Sequence, residues 1–132
     1  MKRGIRNNNP GNIRKNATKW QGLSDTQTDS AFFQFKEMKW GIRAMLKTLN
    51  TYYYKHDRKT IRQIVYRWAP PQDNNNTELY IKVVSDRTRI DDNVKLPIDN
   101  RITMCAIAQA MCWMENSVEI PIDEFYKGWE LM

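Results

Sequence analysis

With 132 residues, 41% of them hydrophobic and 27% charged, the chain has the size and composition of one folded domain, not of a disordered or fibrous protein. No apolar run approaches the roughly 18 residues that a membrane-spanning helix needs. A formal charge of +6 and a pI near 9.4 point to an anionic partner, whether nucleic acid, a membrane surface or the cell wall.

The first twenty residues carry Lys2, Arg3, Arg6, Arg14, Lys15 and Lys19 and no acid. This start is basic but has no apolar h-region, so it does not read as a secretory signal. The expectation is synthesis in the bacterial cytoplasm, with action after another form of export or after lysis. The first thirty residues are polar and Asn-rich, and Pro10-Gly11 suits the central positions of a tight turn. Residues 31–35, Ala-Phe-Phe-Gln-Phe, are the best short strand candidate, or else a hydrophobic lead-in to a helix. The opening third therefore reads as loops plus a small hairpin.

From Met38 the pattern changes. Ile42, Met45, Leu46, Leu49 and Tyr53 recur at spacings of three and four, which predicts an amphipathic helix to about residue 54. Thr60 suits the N-cap of a second helix with Ile61, Ile64, Val65 and Trp68 on one stripe, and Pro70-Pro71 stops it. Asn76 or Thr77 can cap a third helix carrying Tyr80, Val83 and Val84. Asp99 is a candidate cap for the next segment, 102–114, which is apolar on nearly every side and so belongs at the centre of the molecule. Asp123 opens a short terminal helix with Phe125 and Trp129. The expected fold is mainly α with a small hairpin, one domain over 1–132, with five helices arranged about a central buried helix at 100–115.

Cys105 and Cys112 lie seven apart in that helix, a rise of about 10.5 Å. Disulfides need Cα atoms within roughly 7 Å, so the two read as reduced core residues. With His56 the only histidine and no zinc-type ligand spacing, neither a metal nor a cofactor is expected.

The chemistry concentrates at Glu115, which closes the apolar helix in Trp113-Met114-Glu115-Asn116. Burial at the mouth of an apolar core raises a carboxyl pKa and keeps the group protonated, the state a general acid needs. The competing reading is a glutamate that marks where the helix meets solvent. A second carboxylate would come from Glu37, Asp25 or Asp29, unless a lone acid suffices; spacing alone does not choose, because carboxylate separation is three-dimensional. Asn7, Asn8, Asn9 and Asn12 offer amides that can read sugar hydroxyl and acetamido groups or satisfy their own turn. Of the five tryptophans, Trp68 and Trp113 fall at core spacings and Trp20, in a polar loop, is the best candidate for exposure.

Several stretches resemble a group of small phage-encoded proteins described as virion structural proteins. They are Arg3-Gly4-Ile5-Arg6-Asn7-Asn8-Asn9-Pro10-Gly11-Asn12-Ile13-Arg14, Trp20-Gln21-Gly22, Phe32 to Phe35, and Gly41-Ile42-Arg43-Ala44-Met45. The likeness continues through Arg67-Trp68-Ala69-Pro70-Pro71, Asp73-Asn74, Thr77 and Tyr80 to Ala110-Met111 and Glu115-Asn116. The same order of features resembles goose-type lysozymes and bacterial glucosaminidases. In those enzymes the helix ending in the catalytic Glu precedes the Asn-rich loop; here only six residues precede Asn7, and the matching helix lies at the other end of the chain. The resemblance thus implies a circularly permuted lysozyme-like domain with Glu115 as general acid, cutting between N-acetylmuramic acid and N-acetylglucosamine by hydrolysis or transglycosylation. It implies that Asn9, Asn12, Trp20, Trp68 and Tyr80 line the substrate groove, with Glu37 as a candidate second acid. Ser117-Val118-Glu119 departs from the phage pattern, where a Gly-containing turn is usual. The implied partners are peptidoglycan and other virion proteins. The alternatives are a non-catalytic virion or wall-binding protein of the same fold and a nucleic-acid-binding module, the latter disfavoured because its fingerprints are missing.

Overall fold

The computed structural model describes residues 1–132, and the chain is mainly helical. Its elements are α1 (Arg3–Arg6), α2 (Met38–Lys55), α3 (Ile61–Trp68), a 3₁₀ turn (Pro71–Asp73), α4 (Thr77–Thr88), α5 (Arg101–Asn116) and α6 (Ile122–Glu130). No helix is long and apolar enough to cross a membrane.

The apolar periodicity reads out as burial. Ile42, Met45, Leu46 and Leu49 of α2 are fully enclosed, together with Ile61, Ile64 and Val65 of α3. Thr60 caps α3, its side chain accepting from the Gln63 amide, and the Asn76 side chain caps α4 by accepting from the Leu79 amide. The cap of α5 is Asn100 and not Asp99: its side chain accepts from the Thr103 amide at 2.9 Å. On α4 the inward face is Tyr80, Ile81 and Val84, with Val83 turned to its edge.

From Thr103 to Asn116 no residue of α5 is exposed, so this helix is the axis on which α1, α2, α4 and α6 pack. Cys105 and Cys112 are free thiols buried on it. Near its C-terminal end the Cys112 sulfur lies 3.5 Å from that of Met45 on α2.

The expected strand and hairpin are corrected. Residues 32–35 run as a short extended segment between bends at Ala31 and Lys36, and Phe33 and Phe35 share a small second core with Ala44. Two isolated antiparallel bridges, Arg14 with Phe32 and Leu23 with Phe35, are all the β-structure that forms. The segment is held between two irregular loops, with Phe33 N–H donating to Ile13, Phe35 N–H to Asn7 and Lys36 N–H to Gly22. Each loop contributes too few bonds in register for a ladder.

The Asn-rich loop explains itself locally. Asn8 and Asn12 have φ of 52°, a left-handed conformation that asparagine tolerates better than most residues. Asn7 and Asn9 are buried and bonded to the extended segment. Asp29 anchors the same region. It accepts from the Arg3 guanidinium, the Asn7 amide and the backbone of Ala31 and Phe32, which holds its carboxyl well below the usual range. The loop packs closely on α2: a Cβ at Gly41 would lie 1.9 Å from the Asn8 carbonyl oxygen.

Candidate functional site

The C-terminal end of α5 meets the Asn-rich loop although they lie more than a hundred residues apart in sequence. Asn12 Nδ2 donates to Glu115 Oε1 at 3.0 Å, and Asn116 Nδ2 donates to the Pro10 carbonyl at 2.8 Å. From the other side Tyr80 on α4 donates through its hydroxyl to Glu115 Oε2 at 3.0 Å, with the Met111 carbonyl at 3.3 Å. Glu115 is half-buried; no cation pairs with it. Burial raises its pKa, against the two hydrogen bonds from Asn12 and Tyr80, which favour the charged form. Desolvation, with the nearby carboxylate, also pushes the Tyr80 hydroxyl and the Cys112 thiol well above their ordinary values, so both are neutral neighbours.

Asn12 also lines a groove of about 370 Å³, which puts Glu115 one hydrogen bond behind its wall. The groove runs between the loop, α2 and the end of α3, and its larger side chains are Trp20, Tyr52, Arg67, Trp68 and Asp73. Tyr52 and Trp68 meet edge to face with ring centroids 5.9 Å apart. Aromatic faces beside amides and a few charges form the kind of surface that holds a ligand in one orientation.

The structure therefore brings together Glu115, Asn12, Trp20, Trp68 and Tyr80 from among the residues singled out in the sequence. Trp20 is half-buried against the small core of Phe33, Phe35 and Ala44, more enclosed than its polar loop suggests. Tyr80 is 4% exposed and touches the acid without lining the groove. Asn9 is corrected to an internal strut: it is fully buried, its amide nitrogen donates to the carbonyls of Ile13 and Phe33, and its oxygen accepts from Ile13 N–H. Glu37 is corrected too. It precedes α2 with its carboxylate 63% exposed and 3.8 Å from Lys39, and it is not part of the groove. Asp29 is engaged by Arg3, and Asp25 is an open surface carboxylate near Lys36.

Sequence reasoning missed Arg14, Thr48, Tyr52, Arg67 and Asp73 on the groove wall. A signal existed for some of them. Thr48 and Tyr52 stand four apart on one face of α2, and Arg67 and Asp73 fall within the resemblance motifs.

Fold and site together define a mainly helical domain with a partly buried acid next to an aromatic and amide-lined groove. No protein-family model matches the chain. It is 41% identical to "Protein P5" of Pseudoalteromonas phage PM2 over 132 residues, which covers 97% of this chain and 80% of that protein. The chain belongs to the family of that phage protein.

Proposed function

We propose that the chain is a virion-associated peptidoglycan glycosidase, of muramidase or lytic-transglycosylase type, with Glu115 as its general acid. The observation that carries this reading is the state of Glu115: a carboxyl biased toward its protonated form by burial, held in place by Asn12 and Tyr80, beside a groove suited to a sugar chain. In the reaction, Glu115 gives its proton to the glycosidic oxygen as the bond to the muramyl C1 breaks. The resulting carboxylate then takes a proton from the attacking group. If that group is water, the product has a reducing end; if it is the muramyl C6 hydroxyl, the product is a 1,6-anhydro sugar. Trp20 and Trp68 offer ring faces to the sugars, and Asn12 offers its amide to the acid.

A circularly permuted lysozyme-like arrangement is supported by the contact of α5 with the Asn-rich loop, since the helix that precedes the loop in goose-type lysozymes corresponds to one that meets it here in space. Kinship with a phage protein supports a place in the virion, among other virion proteins, and action at the wall during penetration or lysis. A second reading, a non-catalytic wall-binding protein, is favoured by one observation: the only side chains bonded to Glu115 are Asn12 and Tyr80, and neither is a carboxylate.

Digestion of purified sacculi with the wild-type protein, with products separated by mass, decides between the two. Soluble fragments with reducing or anhydro-muramyl ends are the expected result. Binding to sacculi without any soluble product would establish the second reading instead.

A further inference from the structure

Two guanidinium groups in the groove have no acidic partner. Arg14 comes from the Asn-rich loop and Arg67 from the last turn of α3, and both are exposed. Four arginines are engaged by carboxylates or a carbonyl: Arg3 with Asp29, Arg62 with Glu78 and Asp92, Arg87 with Glu119, and Arg43 with the Leu131 carbonyl. Arg6, Arg58, Arg89 and Arg101 are without such a partner but lie outside the groove, so what sets Arg14 and Arg67 apart is their place on its wall. Arg14 and Arg67 form no such bond to a carboxylate or carbonyl, even though Asp73 lines the same groove.

Each is nevertheless held in position. Arg14 lies over the Phe32 ring at 5.0 Å, and Arg67 lies over the Tyr52 ring at 5.0 Å with its Nη2 3.3 Å from His56 Nε2. Neither guanidinium gives its N–H groups to a carboxylate or a carbonyl, although His56 takes one nitrogen of Arg67, and a pair of such N–H groups matches a carboxylate with two parallel hydrogen bonds. The groove between the two arginines presents Trp68 and Trp20 with the polar side chains of Asn12, Asn16 and Thr48, a surface for neutral sugar rings and their amides.

We propose that Arg14 and Arg67 are specificity-determining residues that hold carboxylates carried by the glycan, so that the groove takes acid-bearing muramyl glycan in preference to neutral N-acetylglucosamine polymers. This rests on the carbohydrate reading of the groove and adds the chemical class of its ligand. The carboxylate belongs either to the lactyl ether of the muramyl sugar or to the attached peptide stem, which share the same anionic chemistry. A continuous phosphate track fits less well, since only two cations line the groove and Asp73 opposes them.

The test measures binding by the fluorescence of the groove tryptophans, in the full chain carrying Glu115→Gln to stop turnover. Three glycans are compared: chitohexaose, muramyl glycan stripped of its stems, and stem-bearing glycan. Each of Arg14→Gln and Arg67→Gln should weaken binding of an acid-bearing glycan by about 3- to 10-fold, with chitohexaose changed less than about 2-fold. The double variant should bind all three alike. Preference for the stripped glycan assigns the lactyl carboxylate, and preference for the stem-bearing glycan assigns the peptide. Equal binding of neutral and acidic glycans by the starting protein, or equal losses on both in the variants, overturns the proposal while the carbohydrate reading stands. Arginine-dependent binding of a single-stranded oligonucleotide with no glycan binding overturns both.

Discussion

Tyr80→Phe isolates the hydroxyl that holds the acid. The ring is 4% exposed and phenylalanine keeps its shape, so the change removes one bond to Glu115 Oε2 and its alternative to the Met111 carbonyl. A buried hydrogen bond contributes about 1 kcal/mol between neutral groups and about 1.5–3 kcal/mol to a charged one. The unfolding entropy of 132 residues, at roughly 2.1 cal/mol/K each, is about 0.28 kcal/mol/K. A loss of about 1 kcal/mol while Glu115 is neutral therefore lowers Tm by about 4 °C, and a loss of about 2 kcal/mol once it is ionised lowers Tm by about 7 °C. The sign follows from linkage. Because the folded pKa of Glu115 is raised, its contribution is fully present below the unfolded value and is lost as pH rises through the folded one. Removing the Tyr80 bond raises the folded pKa further, so the variant loses more at alkaline pH. Calorimetric melts of both proteins from acid to alkaline pH measure this directly. A Tm difference that is constant with pH, or larger on the acid side, refutes the coupling of Tyr80 to the acid.

Gly41→Ala forces a Cβ to within 1.9 Å of the Asn8 carbonyl, and urea unfolding should show a loss of about 2–3 kcal/mol; less than about 0.5 would mean the loop moves aside freely. Ser117 ends α5 in a left-handed conformation at φ 54°, so Ser117→Gly should stabilise by about 0.5–1 kcal/mol, read as a Tm higher by about 2–4 °C. No gain would show that the Ser117 backbone carries no strain. Asp29 is held far below the ordinary carboxylate range, so its stabilisation is present above the unfolded pKa and is lost as pH falls. Asp29→Asn should lower Tm at neutral pH and flatten the fall of Tm between about pH 4 and pH 2; parallel curves for the two proteins would count against it.

The helices were legible because burial imposes a period that the sequence must carry. The stripe of α2, the Thr60 and Asn76 caps and the all-round apolar character of α5 each follow from local rules. The opening third was not legible. Its extended segment pairs with two irregular loops whose partners depend on long-range placement, so the strand-like residues 31–35 never form a ladder. Glu115 stands out in the sequence because a carboxylate ending an apolar helix is a local conflict. Its bond to Asn12, 103 residues away, could not be read from spacing; the resemblance implied only that Asn12 lines the groove and that Glu115 is the acid. Asn9 and Asn12 show the limit most clearly: two asparagines of one loop, three apart, one spent inside the turn and the other turned to the acid.

The central claim is that Glu115 delivers the proton that breaks a glycosidic bond, and the most direct test is the initial rate of fragment release from sacculi by the wild type and by Glu115→Gln. Glutamine fits the site: its oxygen accepts from Asn12, its amide donates to the Tyr80 oxygen, and the Tyr80 hydroxyl turns to Met111. With the fold confirmed by circular dichroism, the variant should be slower by about 10²- to 10⁴-fold while still binding sacculi. Equal rates in the two proteins would contradict the assignment of Glu115 as the acid.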